Sequence, residues 1–145
     1  MRMYKVFIKK TVSLLIVMVA LCFFAAEASG CGRDSNISSV SADVFSEDIK
    51  SGDVQLVDVR TAEEFGAGHI GGAINIDVQS PDFQERVGKE LKKDKTVYVY
   101  CRSGRRSLAA AEILADHGFK VVNLKGGIIE WSEDGKPVVS GGDKQ

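Results

Sequence analysis

Cysteine is scarce in this 145-residue sequence, which contains only three. Cys22 lies within an apolar N-terminal run, Cys31 lies just after that run, and Cys101 is the only cysteine of the remaining chain. This distribution excludes an internal disulfide framework. A lone thiol in a folded domain is either buried and inert or kept for its reactivity. The residues around Cys101 therefore decide its role.

The region after residue 30 also lacks long runs of Lys or Arg. Without residues 1–30, 15 basic and 19 acidic side chains remain, so this region is mildly acidic. That balance argues against a nucleic-acid-binding protein and favours small molecules or proteins as partners. The whole chain is 44% hydrophobic and 27% charged, which is typical of one globular domain rather than of a disordered or fibrous protein.

Residues 1–30 have the layout of a secretory signal. A basic start (Arg2, Lys5, Lys9 and Lys10) precedes an apolar run over residues 12–26. That run is short for a membrane span, which needs about 20 apolar residues, although an uncleaved anchor that extends toward residue 4 is an alternative. We predict a signal peptide over residues 1–30 and export to the periplasm or cell envelope.

Two cleavage sites are consistent with this signal. Ala26-Glu27-Ala28 is a small-x-small site, which would leave Ser29 at the new N-terminus and Cys31 as a free thiol. Ala28-Ser29-Gly30-Cys31 resembles a bacterial lipoprotein box, in which the cysteine is lipidated and becomes N-terminal, although the box usually has Leu in place of Ala28. We favour the second site, which predicts a membrane-anchored lipoprotein.

Beyond the signal, we predict a linker over residues 31–39, one domain over residues 40–139 and a disordered tail over residues 140–145. Within the domain, β-rich runs alternate with helix-like segments, which is typical of an α/β fold with parallel strands and helices on both faces of the sheet. The predicted strands cover residues 54–59, 73–76, 96–100 and 121–124, and the predicted helices cover residues 41–50, 62–66, 80–91, 106–117 and 126–131.

Two of these helices carry explicit start signals. Thr61 and Glu64 are three residues apart, which is the spacing of a capping box. Ser80 and Pro81 would supply a cap and a proline in the first turn of the next helix.

Cys101 lies between the strongest strand signal, residues 96–100, and the helix that follows. Ligands of such sheets bind beyond the carboxyl ends of the strands, which is where this residue falls. An ordinary cysteine has a pKa of roughly 8.5 and is mostly protonated at neutral pH. Here the N–H groups at the start of the helix and the cations of Arg102, Arg105 and Arg106 are expected to favour the thiolate. We therefore predict a lowered pKa for Cys101.

The remaining loop residues suit a cradle for an anionic sulfur. Gly104 permits a tight loop that directs its amides to one point, and Ser103 and Ser107 offer hydroxyl donors. Such a loop would stabilise a persulfide on Cys101 and attract an anionic sulfur donor. The candidate substrate-binding residues are Arg102, Ser103, Gly104, Arg105, Arg106 and Ser107.

Asp58 ends another predicted strand, and Arg60 follows it two residues later. They either form a structural ion pair, with Glu63 or Glu64 as a further partner, or support the active site directly. Sequence leaves both interpretations open.

Several motifs occur in order between residues 40 and 139. They are Leu56-Val57-Asp58-Val59-Arg60, Gly68-His69-Ile70 with Gly72-Ala73-Ile74-Asn75-Ile76, Tyr100-Cys101-Arg102-Ser103-Gly104-Arg105-Arg106-Ser107, Gly126-Gly127 with Trp131, and Gly135-Lys136-Pro137-Val138. With them the sequence resembles the rhodanese-like domain family, and in particular its small single-domain exported members, because 145 residues leave no room for a second copy.

This resemblance implies a three-layer sandwich built on a five-stranded parallel sheet. It also implies that a sulfane sulfur passes from an anionic donor such as thiosulfate to a thiol or cyanide through a persulfide on Cys101. We expect Cys101 to be catalytic, no metal or organic cofactor to be needed, and the protein to be a monomer.

Two other function classes stay open. Cysteine-based phosphatases and some arsenate reductases use a similar loop, but they place Arg six positions after Cys, where this sequence has Ser107, with Arg106 one position short. A non-catalytic module that stores or senses sulfur on Cys101 would need the same loop. Discharge of the persulfide to cyanide or thiols separates the enzyme from the store.

Overall fold

A computed structural model of the protein describes residues 36–50 and 52–141. The predicted signal peptide, the lipidation site Cys31 and residues 142–145 of the predicted tail lie outside these ranges, so those expectations stay predictions. Within the two ranges, no helix is both long enough and apolar enough to cross a bilayer.

Strands and helices alternate along the described part of the chain. The strands are β1 (Ile37–Val40), β2 (Gln55–Asp58), β3 (Ile74–Asn75), β4 (Val97–Tyr100) and β5 (Val121–Leu124). The helices are α1 (Ala42–Ile49), α2 (Ala62–Ala67), α3 (Phe83–Glu90), α4 (Arg105–Asp116) and α5 (Gly127–Glu133). All strand pairs are parallel, and the strand order in the sheet is β1-β5-β4-β2-β3.

Two apolar clusters cover the two faces of this sheet, because successive side chains of a strand point to opposite faces. On one face, Val97 and Val99 pack with residues of α3 and α4. On the other face, Tyr98 and Tyr100 pack with residues of α1 and α5. The predicted α/β fold, with five parallel strands and helices on both faces, is confirmed.

The central strand β4 places Cys101. All four of its residues are buried, as expected for a strand covered on both faces. It lies between β5 and β2, and Tyr100 is in register with Asp58. The chain segments that follow Tyr100 and Asp58 therefore leave the sheet side by side at its carboxyl edge.

Two predicted boundaries were wrong. Residues 37–39, assigned to a linker, belong to β1, which pairs with β5 at the edge of the sheet. Only Ile37 and Val40 of that strand are partly buried, so it has little of the apolar signal of an inner strand. At the other end of the domain, residues 140–141 are described, and the Gly141 N–H donates to the Gly66 carbonyl at 3.2 Å.

The helix starts were predicted with mixed success. The capping box of α2 is confirmed, because Thr61 Oγ1 accepts from the Glu64 N–H and a Glu64 carboxylate oxygen accepts from the Thr61 N–H. By contrast, α3 begins at Phe83 rather than at Pro81. The residues before it form a turn in which the Phe83 N–H donates to the Ser80 carbonyl at 3.1 Å.

Candidate active site

The chain turns sharply between β4 and α4, over the four residues 101–104, here named the Cys101 loop. Gly104 ends this loop as the N-cap of α4, with a φ angle of 87°. A Cβ atom at this position would lie 1.9 Å from the Lys125 carbonyl oxygen. Only glycine fits both the left-handed backbone and this close approach, so Gly104 fixes the path of the loop.

Hydrogen-bond donors converge on the Cys101 sulfur. The Ser107 hydroxyl lies 3.4 Å from Sγ, and the backbone N–H groups of Ser103, Gly104 and Ser107 also stabilise the thiolate. Burial alone would raise the pKa of Cys101, but these hydrogen bonds outweigh it, and the net pKa lies below the ordinary cysteine value. The predicted direction is confirmed, although neutral donors rather than adjacent arginines account for most of it.

Cys101 itself is 1% exposed. Its side chain belongs to the apolar cluster beneath α3 and α4, while the donors cap it from the loop side. The sulfur is therefore held at the base of the loop and not on the protein surface.

The Ser107 hydroxyl has a second acceptor, the Gly104 carbonyl oxygen, 3.1 Å from Oγ. Its single proton is shared between this carbonyl and the sulfur, and the negative charge of the thiolate favours donation to the sulfur. The side chain is fully buried in the first turns of α4. Ser103, by contrast, is exposed and contributes through its backbone N–H.

The three arginines after Cys101 are not equivalent. Arg106 donates to both carboxylate oxygens of Glu64, at 2.8 and 2.7 Å. This pair, mainly through its hydrogen bonds, lowers the pKa of Glu64 to about 2. Arg102 and Arg105 are exposed and have no ion pair within the described residues. The expectation of three cations directed at one anion is thus corrected, since Arg106 is already paired.

The Asp58–Arg60 pair is buried, with side-chain exposures of 0% and 7%. Arg60 donates to both Asp58 carboxylate oxygens and, through Nη2, to the Gly68 carbonyl at 2.6 Å. The structure has the ion pair of the first interpretation, and Arg60 also lines the groove described below, so support of the active site stays a prediction. The ion pair ties the end of β2 to the segment after α2, and neither Glu63 nor Glu64 hydrogen-bonds with it.

Helix α5 supports the Cys101 loop from the other side. The Ile128 N–H donates to the Cys101 carbonyl at 2.9 Å, and the Ile129 N–H donates to the Arg102 carbonyl at 3.2 Å. Gly127 allows this contact, because a Cβ atom there would lie 2.4 Å from the Arg102 carbonyl oxygen. Sequence reasoning noted the Gly126-Gly127 pair without assigning this role.

An open groove lies beside the Cys101 loop and has a volume of about 690 Å³. Its lining includes Arg60, Gly68, Arg102, Ile129, Glu133 and Val138. No cluster of three or more His, Cys, Asp or Glu side chains is placed to hold a metal ion in residues 36–50 and 52–141. A reaction without a metal or cofactor stays a prediction.

Residues 41–134 match the model of the family described as the rhodanese-like domain. The chain belongs to this family. The matched segment runs from the residue before α1 to the residue after α5, so it contains the whole Cys101 loop and the helices on either side.

Known proteins and a solved structure that resemble this rhodanese domain agree with the family assignment. A protein named sulfurtransferase from Allochromatium vinosum is 40% identical over 89 residues, which cover 61% of this chain and 80% of the relative. Thiosulfate sulfurtransferase 16, chloroplastic, from Arabidopsis thaliana is 36% identical over 110 residues, with coverages of 69% and 91%. The crystal structure of a rhodanese-related protein from Thermoplasma volcanium has a TM-score of 0.59 and 36% identity, and the match covers 70% of this chain and 96% of that one.

Proposed function

We propose that this chain is a sulfurtransferase that moves a sulfane sulfur from an anionic donor such as thiosulfate to a thiol or cyanide, through a persulfide on Cys101. The observation that carries the proposal is the convergence of the Ser107 hydroxyl and three backbone N–H groups on the Cys101 sulfur. Family membership and the relatives named sulfurtransferases support this class of reaction.

In the first half-reaction, the Cys101 thiolate attacks the outer sulfur of thiosulfate. A bond forms between the two sulfurs, the sulfur–sulfur bond of thiosulfate breaks, and sulfite leaves with the electron pair. The terminal sulfur of the persulfide carries the negative charge, which the same donors stabilise. The exposed Arg102 and Arg105 attract the dianion to the loop.

In the second half-reaction, a cyanide ion or a thiolate attacks the terminal sulfur. The persulfide bond breaks, its electron pair returns to Cys101, and thiocyanate or a new persulfide leaves. Charge and electron count balance in both steps, so no redox cofactor takes part. Ser107 lies six residues after Cys101, where the phosphatase pattern has arginine, and this difference favours sulfur transfer over phosphoryl transfer.

Intact-mass analysis tests this proposal. After thiosulfate treatment, the protein should gain the mass of one sulfur atom and lose it when cyanide is added. Cys101→Ser should do neither. A persulfide that forms but is discharged neither to cyanide nor to thiols would instead identify a sulfur store, and hydrolysis of a phosphate ester without sulfur uptake would identify a phosphatase.

We also propose that the protein is exported and lipidated at Cys31, on the basis of the N-terminal sequence pattern. Mass spectrometry of the mature N-terminus tests this: a lipidated Cys31 supports it, and an N-terminal Ser29 contradicts it.

A further inference from the structure

The groove beside the Cys101 loop is larger than a small inorganic donor requires. Its volume of about 690 Å³ lies within the range of roughly 300–1,000 Å³ that is typical of pockets for drug-sized ligands. It also reaches the Cys101 loop. Arg102 lines it, and Ile128, another lining residue, donates its N–H to the Cys101 carbonyl. A sulfur acceptor larger than cyanide can therefore lie in the groove and end at the loop.

The groove presents apolar side chains to solvent. Ile129 is 38% exposed and Val138 is 44% exposed, although large aliphatic side chains are usually buried. Both line the groove, Ile129 from α5 and Val138 from the segment that follows α5. Contact with an apolar side chain of a ligand would remove this surface from water.

Two unpaired charges of opposite sign lie along the same groove. Arg102 is at the Cys101 loop, and Glu133 is the last residue of α5. Neither has an ion-pair partner in the part of the chain that the structure describes. The other two charged side chains of the lining, Arg60 and Glu64, are already paired. A complementary ligand carries an anion near its reacting end and a cation farther away.

The segment that follows α5 offers unpaired backbone groups. Val139 and His69 exchange both backbone hydrogen bonds, each at 2.8 Å, in an antiparallel bridge. In such a pair the flanking residues direct their N–H and C=O groups to the opposite side. Those groups of Val138 and Ser140, which both line the groove, have no partner within the described ranges. An extended peptide can pair with such an edge.

We propose that the groove binds an extended polypeptide segment whose cysteine is the sulfur acceptor, with the cysteine at the Arg102 end. This inference rests on the function proposed above. The cysteine thiolate of the segment attacks the terminal sulfur of the Cys101 persulfide, the bond between the two persulfide sulfurs breaks, and Cys101 regains its thiolate. The segment leaves as a protein persulfide.

The test compares three acceptors on the full chain. These are cyanide, N-acetylcysteine and a ten-residue peptide with Glu next to a central Cys, flanking Val residues and a distal Lys. Val138→Ser and Glu133→Lys should each lower kcat/KM for the peptide about tenfold relative to kcat/KM for cyanide, the first because it removes an apolar contact and the second because it repels the distal lysine. Val44→Ser is the matched control, because Val44 is 48% exposed and does not line the groove.

A further peptide, N-methylated at alternate backbone positions, should react more slowly than the parent peptide, because it cannot form the strand pairing. The inference is overturned if both groove variants leave the ratio of peptide to cyanide turnover at the wild-type value. It is also overturned if turnover with N-acetylcysteine falls as much as turnover with the peptide, since the groove would then bind small thiols. In both results cyanide turnover persists and the proposed function stands; loss of wild-type turnover with all three acceptors would reject that function itself.

Discussion

The groups around the Cys101 loop and the first turn of α4 fall into two sets. The inner surface faces the Cys101 sulfur and carries neutral donors, whereas the outer surface carries charged side chains. On the inside, the donors that cap the sulfur are neutral, namely the Ser107 hydroxyl and three backbone N–H groups. On the outside, Arg102 and Arg105 are exposed and Arg106 is paired with Glu64. The arginines were expected to stabilise the thiolate directly, yet the nearest donors to the sulfur carry no net charge.

This difference separates stabilisation of the thiolate, on the inner surface, from attraction of the anionic donor, on the outer surface. Neutral dipoles that the fold holds in place stabilise an anion without the cost of burying a counter-charge. Cations at the rim can attract an anionic donor while staying hydrated. Changes on the inside should therefore alter the reactivity of Cys101, whereas changes on the outside should alter stability or the capture of the donor.

Gly104→Ala should have the largest effect, because it disturbs the inner surface as a whole. The new Cβ would lie 1.9 Å from the Lys125 carbonyl oxygen, so the loop must move. A displacement of about 1 Å at a reacting group can cost roughly a hundredfold in rate. We expect kcat/KM for thiosulfate to fall about a hundredfold, together with a lower urea midpoint.

Gly118→Ala is the matched control for that variant. Gly118 also has a positive φ, 85°, but a Cβ at this position would have no atom within 4 Å beyond its immediate chain neighbours and the backbone of its own helix. Gly118→Ala should lower the free energy of unfolding only by the strain of a left-handed alanine, about 1–2 kcal/mol, and should leave kcat/KM of the folded protein unchanged. Equal losses of kcat/KM in the two variants would contradict a specific role for the close approach at Gly104.

Ser107→Ala should have the next largest effect, again from the inside. The variant removes a hydrogen bond to the thiolate, which is worth about 1.5–3 kcal/mol for a charged acceptor, and the pKa of Cys101 should rise. Below neutral pH, the rate of alkylation by iodoacetamide should fall roughly tenfold. Ser103→Ala should leave the alkylation profile unchanged, since Ser103 acts through its backbone N–H. If Ser103→Ala shifted the profile as far as Ser107→Ala, the effect could not be assigned to the hydrogen bond from the Ser107 hydroxyl to the Cys101 sulfur.

Glu64→Gln should affect stability more than reactivity. The carboxylate is paired with Arg106, and its side chain is 30% exposed. Its pKa is about 2 in the folded protein against an ordinary 4.5, so the stabilisation is fully present above pH 4.5 and is lost as the pH falls toward 2. After allowance for partial exposure, we expect a loss of about 1–2 kcal/mol at pH 7. Glutamine can still accept the capping-box hydrogen bond, so the change isolates the ion pair.

Urea unfolding at pH 7 and pH 3 measures this effect. The difference between wild type and Glu64→Gln should shrink at the lower pH, because the wild-type carboxylate is then closer to protonation. The control is Glu47→Gln, since Glu47 pairs with Lys50 but is 74% exposed, and its midpoint should match wild type. If the stability difference between wild type and Glu64→Gln grew as the pH fell, the ionised Glu64 carboxylate would not be its source.

Features that depend on neighbouring residues could be predicted from the sequence, whereas contacts between distant residues could not. The turn from β4 into α4 and the capping box at Thr61 depend on residues that are close in the chain, and both were predicted correctly. The Glu64–Arg106 pair joins residues 42 positions apart, so no local pattern indicates it.

Strand β1 and Gly127 were harder to predict for different physical reasons. β1 is an edge strand with two exposed serines at its centre, so its pairing with β5 is visible only in three dimensions. Gly127 is required because α5 approaches the Arg102 carbonyl, and the sequence shows only a pair of glycines. Local patterns thus predicted the reactive loop, whereas its supports depend on tertiary contacts.

Arg105→Ala should have the smallest effect, since this side chain lies on the outside, exposed and without an ion pair in the described residues. Its contribution to donor capture is screened over about 8 Å at physiological ionic strength. We expect kcat/KM for thiosulfate to fall about twofold at low salt and to equal wild type at high salt. Alkylation by neutral iodoacetamide should not change. A tenfold loss that persists at high salt would mean that Arg105 contacts the donor, and the division between inner and outer surfaces would then fail.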